Sequence, residues 1–229
     1  MLEHNEFYLY LIRHGQSEIN AMPDMVGQKE DSQLTEKGRH QAKLLGQRLA
    51  KEGKKLDIVY SSPYDRALNT AKIALEQVPE DKKSPIILAP EVREYTAGDW
   101  THAKRSEVHN VPVLLRMAAM TSGFRPPNGE SMHMVERRAT QWLEDNILYN
   151  KHVMEMAYER TAPRGQDALN IAVFSHGMTI KCFLHYVMGF DQSFLWKLTL
   201  ENTSISKLYL NSSREGWRLL TINDHAHLL

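Results

Sequence analysis

Two rhythms alternate along this chain. Phe7 to Ile12 are six apolar residues without a polar break. A short run of that kind, rich in aromatic and branched side chains, predicts a strand buried on both faces. Leu56 to Tyr60, Ile86 to Ala89 and Asn170 to Phe174 predict three more. Between them the spacing turns helical. Thr35 is a good N-cap for a helix in which Ala42, Leu44, Leu45 and Leu49 form an apolar stripe and Gly53 is the stop. Ser61-Ser62-Pro63 leads the second strand into a helix from Tyr64 to about Gln77, with Pro63 near the first turn, where it is tolerated. Ser131 caps a helix running to about Tyr149, with Tyr158 as its farthest extent, and Met178 to Gly189 follows the fourth strand in helical pattern. Ser204 to Leu210 and Trp217 to Ile222 read as two strands joined at 211–216, a hairpin-like antiparallel edge. Strands alternating with helices predict an α/β fold, a three-layer α/β/α sandwich with a mostly parallel sheet and an antiparallel edge strand.

The least regular stretch is Glu91 to Gly129. It holds Glu94, Gly98, Trp100, a mixed helix from about Lys104 to Ala119, and a turn at Pro126-Pro127-Asn128-Gly129. Loops are expected at 21–33, with Pro23 and Gly27, and around Gly165. With no long repeat, low-complexity tract or linker, the 229 residues read as one domain, 1–229, with a substrate-covering insertion around 95–130.

Composition narrows the function. Twenty-eight basic residues balance 28 acidic ones, so no global field favours nucleic acid or a membrane surface. No stretch is apolar for long enough to span a bilayer, and the N-terminal apolar run lacks the flanks of a signal peptide. Cys182 is the only cysteine, so no intrachain disulfide forms, and its apolar helical setting makes it a small core residue. A cytoplasmic location fits that usage.

The candidate chemistry gathers where strands end. Arg13-His14-Gly15 closes the first strand, and Ser175-His176-Gly177 closes the fourth. In an open α/β sheet, ligands bind beyond the carboxyl ends of the strands. A guanidinium matches phosphate oxygens in a fork, and a neutral histidine is a competent nucleophile. Gly15 is expected to let a ligand approach the backbone. Arg66, in the first turn after the second strand, and Glu94, after the third, fall at the same end. Each of these residues alone has a plain structural explanation. Together, two guanidiniums and two imidazoles around one point repel one another unless an anion lies between them. A phosphoryl group supplies that anion, with the helix N-terminus after Gly177 adding donors. Among the remaining histidines, His102, His109, His225 and His227 lack the acids or thiolates of a metal motif, and no metal or organic cofactor is expected. Met117 and Met120 are expected to pack, and Lys181 and His185 to be exposed.

Leu11-Ile12-Arg13-His14-Gly15-Gln16-Ser17-Glu18-Ile19-Asn20 resembles the signature of the histidine phosphatase superfamily, the phosphoglycerate mutase-like family. Leu34 to Gly38, Ser61 to Ala67, Asn128 to Ser131, Ser175 to Gly177, Asn202 to Ser204 and Asn223 to Leu228 resemble its later blocks, in order, over nearly the whole chain. The resemblance implies a phosphatase-type member. In it, His14 is the nucleophile that becomes phosphohistidine. Arg13, Arg66 and His176 bind the phosphoryl group with help from Asn20. Glu94 gives the leaving oxygen its proton, and burial or a nearby phosphoryl anion favours the protonated acid. Water then hydrolyses the phosphohistidine. The partner implied is a small phosphorylated substrate. The oligomeric state is not written in the sequence, and a homodimer is one option.

The departures cluster around Glu94. Phosphoglycerate mutases typically place an Arg directly after the acid and a Tyr two further on, where this chain has Tyr95 and Ala97, and their segment before the Gly-Glu-Ser-like block is much longer. A phosphatase is therefore expected. A cofactor-dependent phosphoglycerate mutase is the alternative, and a catalytically silent phosphate-binding module is the third reading. Lys104, Arg105, Arg116 and Arg125 are candidates for recognising an anionic substrate, which leaves its identity open.

Overall fold

The structure is a computed structural model describing residues 6–22, 24–27, 32–161, 168–191, 193–211 and 216–229. Pro23 and 28–31 of the expected loop, Gly165, and 212–215 of the expected hairpin turn lie outside the described residues.

The apolar runs form strands β1 (Glu6–Arg13), β2 (Ile58–Ser61), β3 (Ile86–Leu88) and β4 (Leu169–Ser175), and the tail adds β5 (Ile205–Asn211) and β6 (Gly216–Asp224). They lie in one sheet in the order β3-β2-β4-β1-β5-β6. The first four in that order are parallel, β5 runs antiparallel to β1, and β6 antiparallel to β5. The α/β sandwich and its antiparallel end are as the pattern predicts. The reversed strand itself is β5, one place in from the edge that β6 forms.

Double-sided burial follows from the period-two geometry of a strand. Phe7, Leu9 and Leu11 of β1 join Leu169, Ile171 and Val173 of β4 in one apolar cluster, together with Trp142, Leu143, Phe183 and Leu184. Tyr10 and Ile12 point the other way and join Ala172, Phe174, Leu45, Leu49, Ala71 and Leu75. Helices α1 (Glu36–Glu52) and α2 (Asp65–Glu76) thus cover one face. On the other lie α5 (Met132–Leu143), α6 (Lys151–Thr161) and α7 (Gly177–Met188), with α3 (Arg105–Val108) and α4 (Val111–Met120) in the irregular stretch and α8 (Phe194–Lys197) after α7. Each fully buried large apolar side chain contributes roughly 1.5–3 kcal/mol, so the two clusters hold the strand ends rigidly.

The helix ends are set locally. Thr35 accepts from Gly38 N–H at 3.0 Å, and Gly53, at φ 66°, ends α1 in the left-handed region. The single helix expected over 104–119 is two. Asn110 Oδ1 accepts from Val113 N–H at 3.1 Å, and Pro112 cannot continue a preceding helix, so a new one starts at Val111. After α5 a π-helical segment, Glu144–Leu148, carries the axis on, and Asn150 caps α6 through Val153 N–H at 3.2 Å. Lys181 and His185 are not exposed: Lys181 Nζ donates to the Leu195 carbonyl at 3.0 Å, and His185 Nδ1 pairs with Glu136 at 2.6 Å. Cys182 is buried, and burial pushes its thiol up, as befits a core residue. No helix among the described residues is long and apolar enough to cross a membrane.

Candidate active site

Parallel pairing sets Arg13 of β1 opposite Ser175 of β4. The next residue on each strand is a histidine, so His14 and His176 emerge side by side with ring centroids 5.1 Å apart. Their backbones are tied to neighbouring strands. His14 N–H donates to the Ser175 carbonyl at 3.0 Å, and Arg13 N–H to the Ser204 carbonyl at 3.1 Å. Arg66 enters from the first turn of α2, and Glu94 from the loop after β3. The exposures are 1% for His14, 0% for His176 and Arg66, and 5% for Glu94. Arg13 is half-buried beside them, and the five residues that sequence patterning placed at strand ends lie close enough to act on one another's charge.

The imidazoles have defined partners. His14 Nδ1 lies 2.7 Å from the Gly15 carbonyl. A carbonyl only accepts, so Nδ1 carries the proton and Nε2 keeps its lone pair. Burial, then Arg66 and Arg13, hold His14 well below the ordinary histidine range, and the Gly15 bond only partly offsets them. Burial, then Arg66, His14 and Arg13, do the same to His176. Both rings are neutral at pH 7. His176 Nε2 meets Ser62 Oγ at 2.8 Å, while Ser62 Oγ also accepts from Tyr64 N–H at 3.3 Å. His176 Nδ1 and Arg13 Nε are buried without a hydrogen-bond partner among the described residues.

The cations are also desolvated. Burial lowers Arg13, against the pull of Glu94 and Glu201, and brings Arg66 down to about 10, with Glu94 opposing. Both remain charged at neutral pH. Arg13 also donates to the Leu200 carbonyl, and the Arg66 guanidinium lies 5.1 Å from the Tyr64 ring centroid. A buried and a half-buried cation facing one carboxylate leave the site net positive, which suits a phosphoryl dianion.

Glu94 is held from three directions. Its carboxylate accepts from Tyr95 N–H at 3.1 Å, Met178 N–H at 3.2 Å and Thr179 Oγ1 at 3.4 Å. The helix-terminal donor at Met178 therefore serves the acid, where sequence reasoning assigned the terminus to the phosphoryl group. The backbone of Glu94 is fixed by Arg138 of α5, which donates to the carbonyls of Arg93 and Glu94 at 3.0 and 3.2 Å. Arg138 is itself clamped by Glu130, which also pairs with Arg93 at 3.0 Å and accepts from Thr96 N–H at 3.1 Å. Burial alone would raise the Glu130 carboxyl, but the bonds to Arg138 prevail and hold it below its usual range.

Further residues support these, and of them Thr70 was not singled out from sequence. Asn202 Nδ2 and Thr203 N–H both donate to the His14 carbonyl, at 3.0 and 3.2 Å, with Thr203 at φ 59°. Asn20 Oδ1 accepts from Ser17 N–H at 3.3 Å and Asn202 Nδ2 at 3.4 Å, so Asn20 borders the loop that carries His14. Thr70 Oγ1 bridges Gly15 N–H at 2.9 Å and the Arg66 carbonyl at 2.6 Å. Polar residues in loops and helix interiors carry no local signal for such long-range roles.

Gly15 has a packing reason that the sequence did not show. A Cβ there would lie 2.5 Å from the Gly38 carbonyl oxygen, and one on Gly38 would lie 2.0 Å from the Gln16 oxygen. Both glycines exist so that the backbone after β1 can lie on the first turn of α1. Of the four candidate substrate cations, Arg105 alone lines the neighbouring pocket, Lys104 and Arg116 are exposed, and Arg125 Nε is bonded to the Gly129 carbonyl at 2.7 Å. His227 Nε2 is 3.0 Å from Thr203 Oγ1, and His225 Nδ1 is 2.7 Å from the Asn223 carbonyl.

Known proteins share this framework. A probable phosphoglycerate mutase, GpmB, of Photorhabdus laumondii is 31% identical over 225 residues, 96% of this chain and 94% of the relative. A putative phosphoserine phosphatase 2 of Hydrogenobacter thermophilus is 28% identical over 222 residues, 96% of each chain. The phosphoserine phosphatase of Entamoeba histolytica, solved with 3-phosphoglyceric acid, superposes with a TM-score of 0.74 at 26% identity, over 97% of this chain and 100% of that one. The family model described as histidine phosphatase superfamily (branch 1) matches residues 9–225. With paired histidines, two arginines and a carboxylate at the strand ends, and with that match over nearly its whole length, this chain belongs to the histidine phosphatase superfamily.

Proposed function

We propose that this chain hydrolyses a phosphomonoester through a phosphohistidine on His14. The observation that carries the reading is the pinned tautomer: Nδ1 is committed to the Gly15 carbonyl, so the Nε2 lone pair is available beside Arg13, Arg66 and His176. Nε2 attacks phosphorus, and the bond from phosphorus to the ester oxygen breaks. Arg13 and Arg66 balance charge on the equatorial oxygens. A phosphoryl oxygen has no proton to offer, so His176 faces it with Nδ1–H while Ser62 donates to Nε2. Protonated Glu94 gives its proton to the departing alkoxide. In the second half, water attacks phosphorus, Glu94 takes its proton, and the phosphorus–nitrogen bond breaks to release phosphate and neutral His14.

The single domain covers 1–229, and 95–130 forms the cover over the substrate, a role supported by the ten of its residues that wall the pocket beside Glu94. The lone, buried cysteine suits a reducing compartment, and we place the enzyme in the cytoplasm. The mutase reading draws on the likeness to the GpmB relative. Against it, Tyr95 and Ala97 stand where a mutase has its carboxylate-binding groups, and less cover exposes phosphohistidine to water.

The test is to trap an acid-labile, base-stable phosphoenzyme and to follow products from 3-phosphoglycerate with catalytic bisphosphate. His14→Ala should abolish both trapping and turnover. Full activity in that variant overturns the nucleophile, and 2-phosphoglycerate forming much faster than free phosphate overturns hydrolysis.

A further inference from the structure

We infer that the alcohol released by this enzyme is an alkyl or aryl-alkyl alcohol, held in an apolar pocket beside Glu94, and not a small hydroxy acid. The inference rests on the phosphatase reading and specifies its substrate class.

The pocket has a volume of about 320 Å³, and Tyr95, Trp100, Met117, Phe124, Met132 and Met178 make much of its wall. Two of these bracket the acid: the N–H groups of Tyr95 and Met178 bind the two oxygens of Glu94. An ester oxygen within reach of the Glu94 proton therefore has its carbon substituent beside these side chains. The Trp100 and Phe124 rings are 5.6 Å apart and inclined by 32°, a ready surface for a ring or chain. Three thioethers supply adaptable, polarisable wall.

The one carboxylate of the wall is already paired. Glu130 is neutralised by Arg93, Arg138 and the Thr96 N–H, so it offers no free charge to a cationic guest. Burial, then Arg105, lowers His109, and its ring lies 5.9 Å from Trp100. Among the described lining residues Arg105 is the one Lys or Arg, and it is exposed, so water screens its charge. Binding a carboxylate inside this wall would desolvate it without a buried cation to pair with. An apolar substituent gains from burial instead, and each added methylene should raise kcat/KM about fourfold until the pocket is full.

The experiment measures kcat/KM of the full chain for n-alkyl phosphates from ethyl to hexyl, for 2-phenylethyl phosphate, and for phosphoserine and 3-phosphoglycerate. The unbranched alcohols leave with nearly constant acidity, so the slope reports binding rather than chemistry. The expected result is a rise along the series, with 2-phenylethyl phosphate roughly 10- to 100-fold better than ethyl phosphate and better than either hydroxy-acid ester. Trp100→Ala should flatten the slope, and the wild-type series decides even if that variant folds poorly. A flat series, with phosphoserine or 3-phosphoglycerate preferred and that preference lost in Arg105→Ala, overturns the inference and leaves the phosphatase reading standing. No turnover of any ester and no acid-labile phosphoenzyme overturns the phosphatase reading itself, and this inference with it.

Discussion

Gly38→Ala isolates the contact that seats the nucleophile's loop. Gly38 lies in the first turn of α1, where alanine would ordinarily stabilise by about 0.5–1 kcal/mol. Here the added Cβ would meet the Gln16 carbonyl oxygen at 2.0 Å, and the Gln16 C and N atoms at 2.9 Å. Ordinary contact begins near 3.4 Å, so helix and loop must separate by about 1.4 Å. The obstacle is backbone, which no rotamer relieves. Overpacking of this kind costs about 3 kcal/mol at the upper end of its range, leaving a net loss of about 2 kcal/mol after the propensity gain. The loop that moves carries His14 two residues before Gln16, and a shift of about 1 Å at a reacting group can cost about 10²-fold in rate. Urea unfolding measures the first effect, and the single-turnover rate of phosphoenzyme formation the second. If the glycines served only ligand approach, Gly38→Ala would be neutral or stabilising at full rate, and that outcome refutes the packing argument.

Two further outcomes follow from the electrostatics. Arg13 and Arg66 supply the charge a metal would otherwise bring, so activity should survive exhaustive chelation and be blocked by vanadate; loss on chelation, restored by a divalent ion, contradicts this. His227 is held at about 4 against an ordinary 6.5, by burial first and Arg48 second. A depressed value means its stabilisation is complete above pH 6.5 and disappears as the pH falls through about 4. The ring is partly solvated, so the loss should be roughly 1–2 kcal/mol rather than the full linkage value. Asp224, held to about 2 chiefly by its bond to Arg48, stays charged across that window. Urea midpoints between about pH 7 and pH 4 should therefore fall less in His227→Asn than in the parent. Parallel curves contradict the assignment.

What was legible in sequence had a local cause. β1 and β4 are continuous apolar runs because both faces of the sheet are covered, and each ends in a His-Gly pair that only a strand terminus explains. Their adjacency follows from repetition of the design, and the register Arg13–Ser175 then brings the rings together. The break before α4 was also written locally, as Asn110 followed by Pro112, but the apolar spacing across it concealed it. Other features have only distant causes. Glu130 sits in a turn-rich stretch that carries no periodic signal, and its importance arises from Arg138 eight residues on and Arg93 across the loop. Gly15 looks like a ligand-facing glycine until Gly38 is seen against it. Lys181 and His185 look solvated until α8 and α5 supply Leu195 and Glu136.

The same distinction separates the chemistry of this enzyme from its choice of substrate. Arg13, His14, Arg66 and His176 stand at strand ends or in a helix's first turn, on backbone locked by ladder bonds and by two apolar clusters. Their positions follow from regular structure, and regular structure has a sequence period. The leaving-group pocket is built from the stretch after Glu94, where Gly98, at φ 57°, lies against the Pro127 carbonyl, and Glu130 N–H returns to the Thr96 carbonyl at 2.9 Å. There the chain is held by turns and by one buried ion cluster, with no repeating pattern to announce which side chains face inward. An apolar wall and a screened Arg105 emerge only once those turns are closed. A phosphatase of this build can therefore keep one mechanism and change its alcohol by altering Tyr95, Trp100, Phe124 or Met178, without disturbing the strand ends that hold His14 and His176.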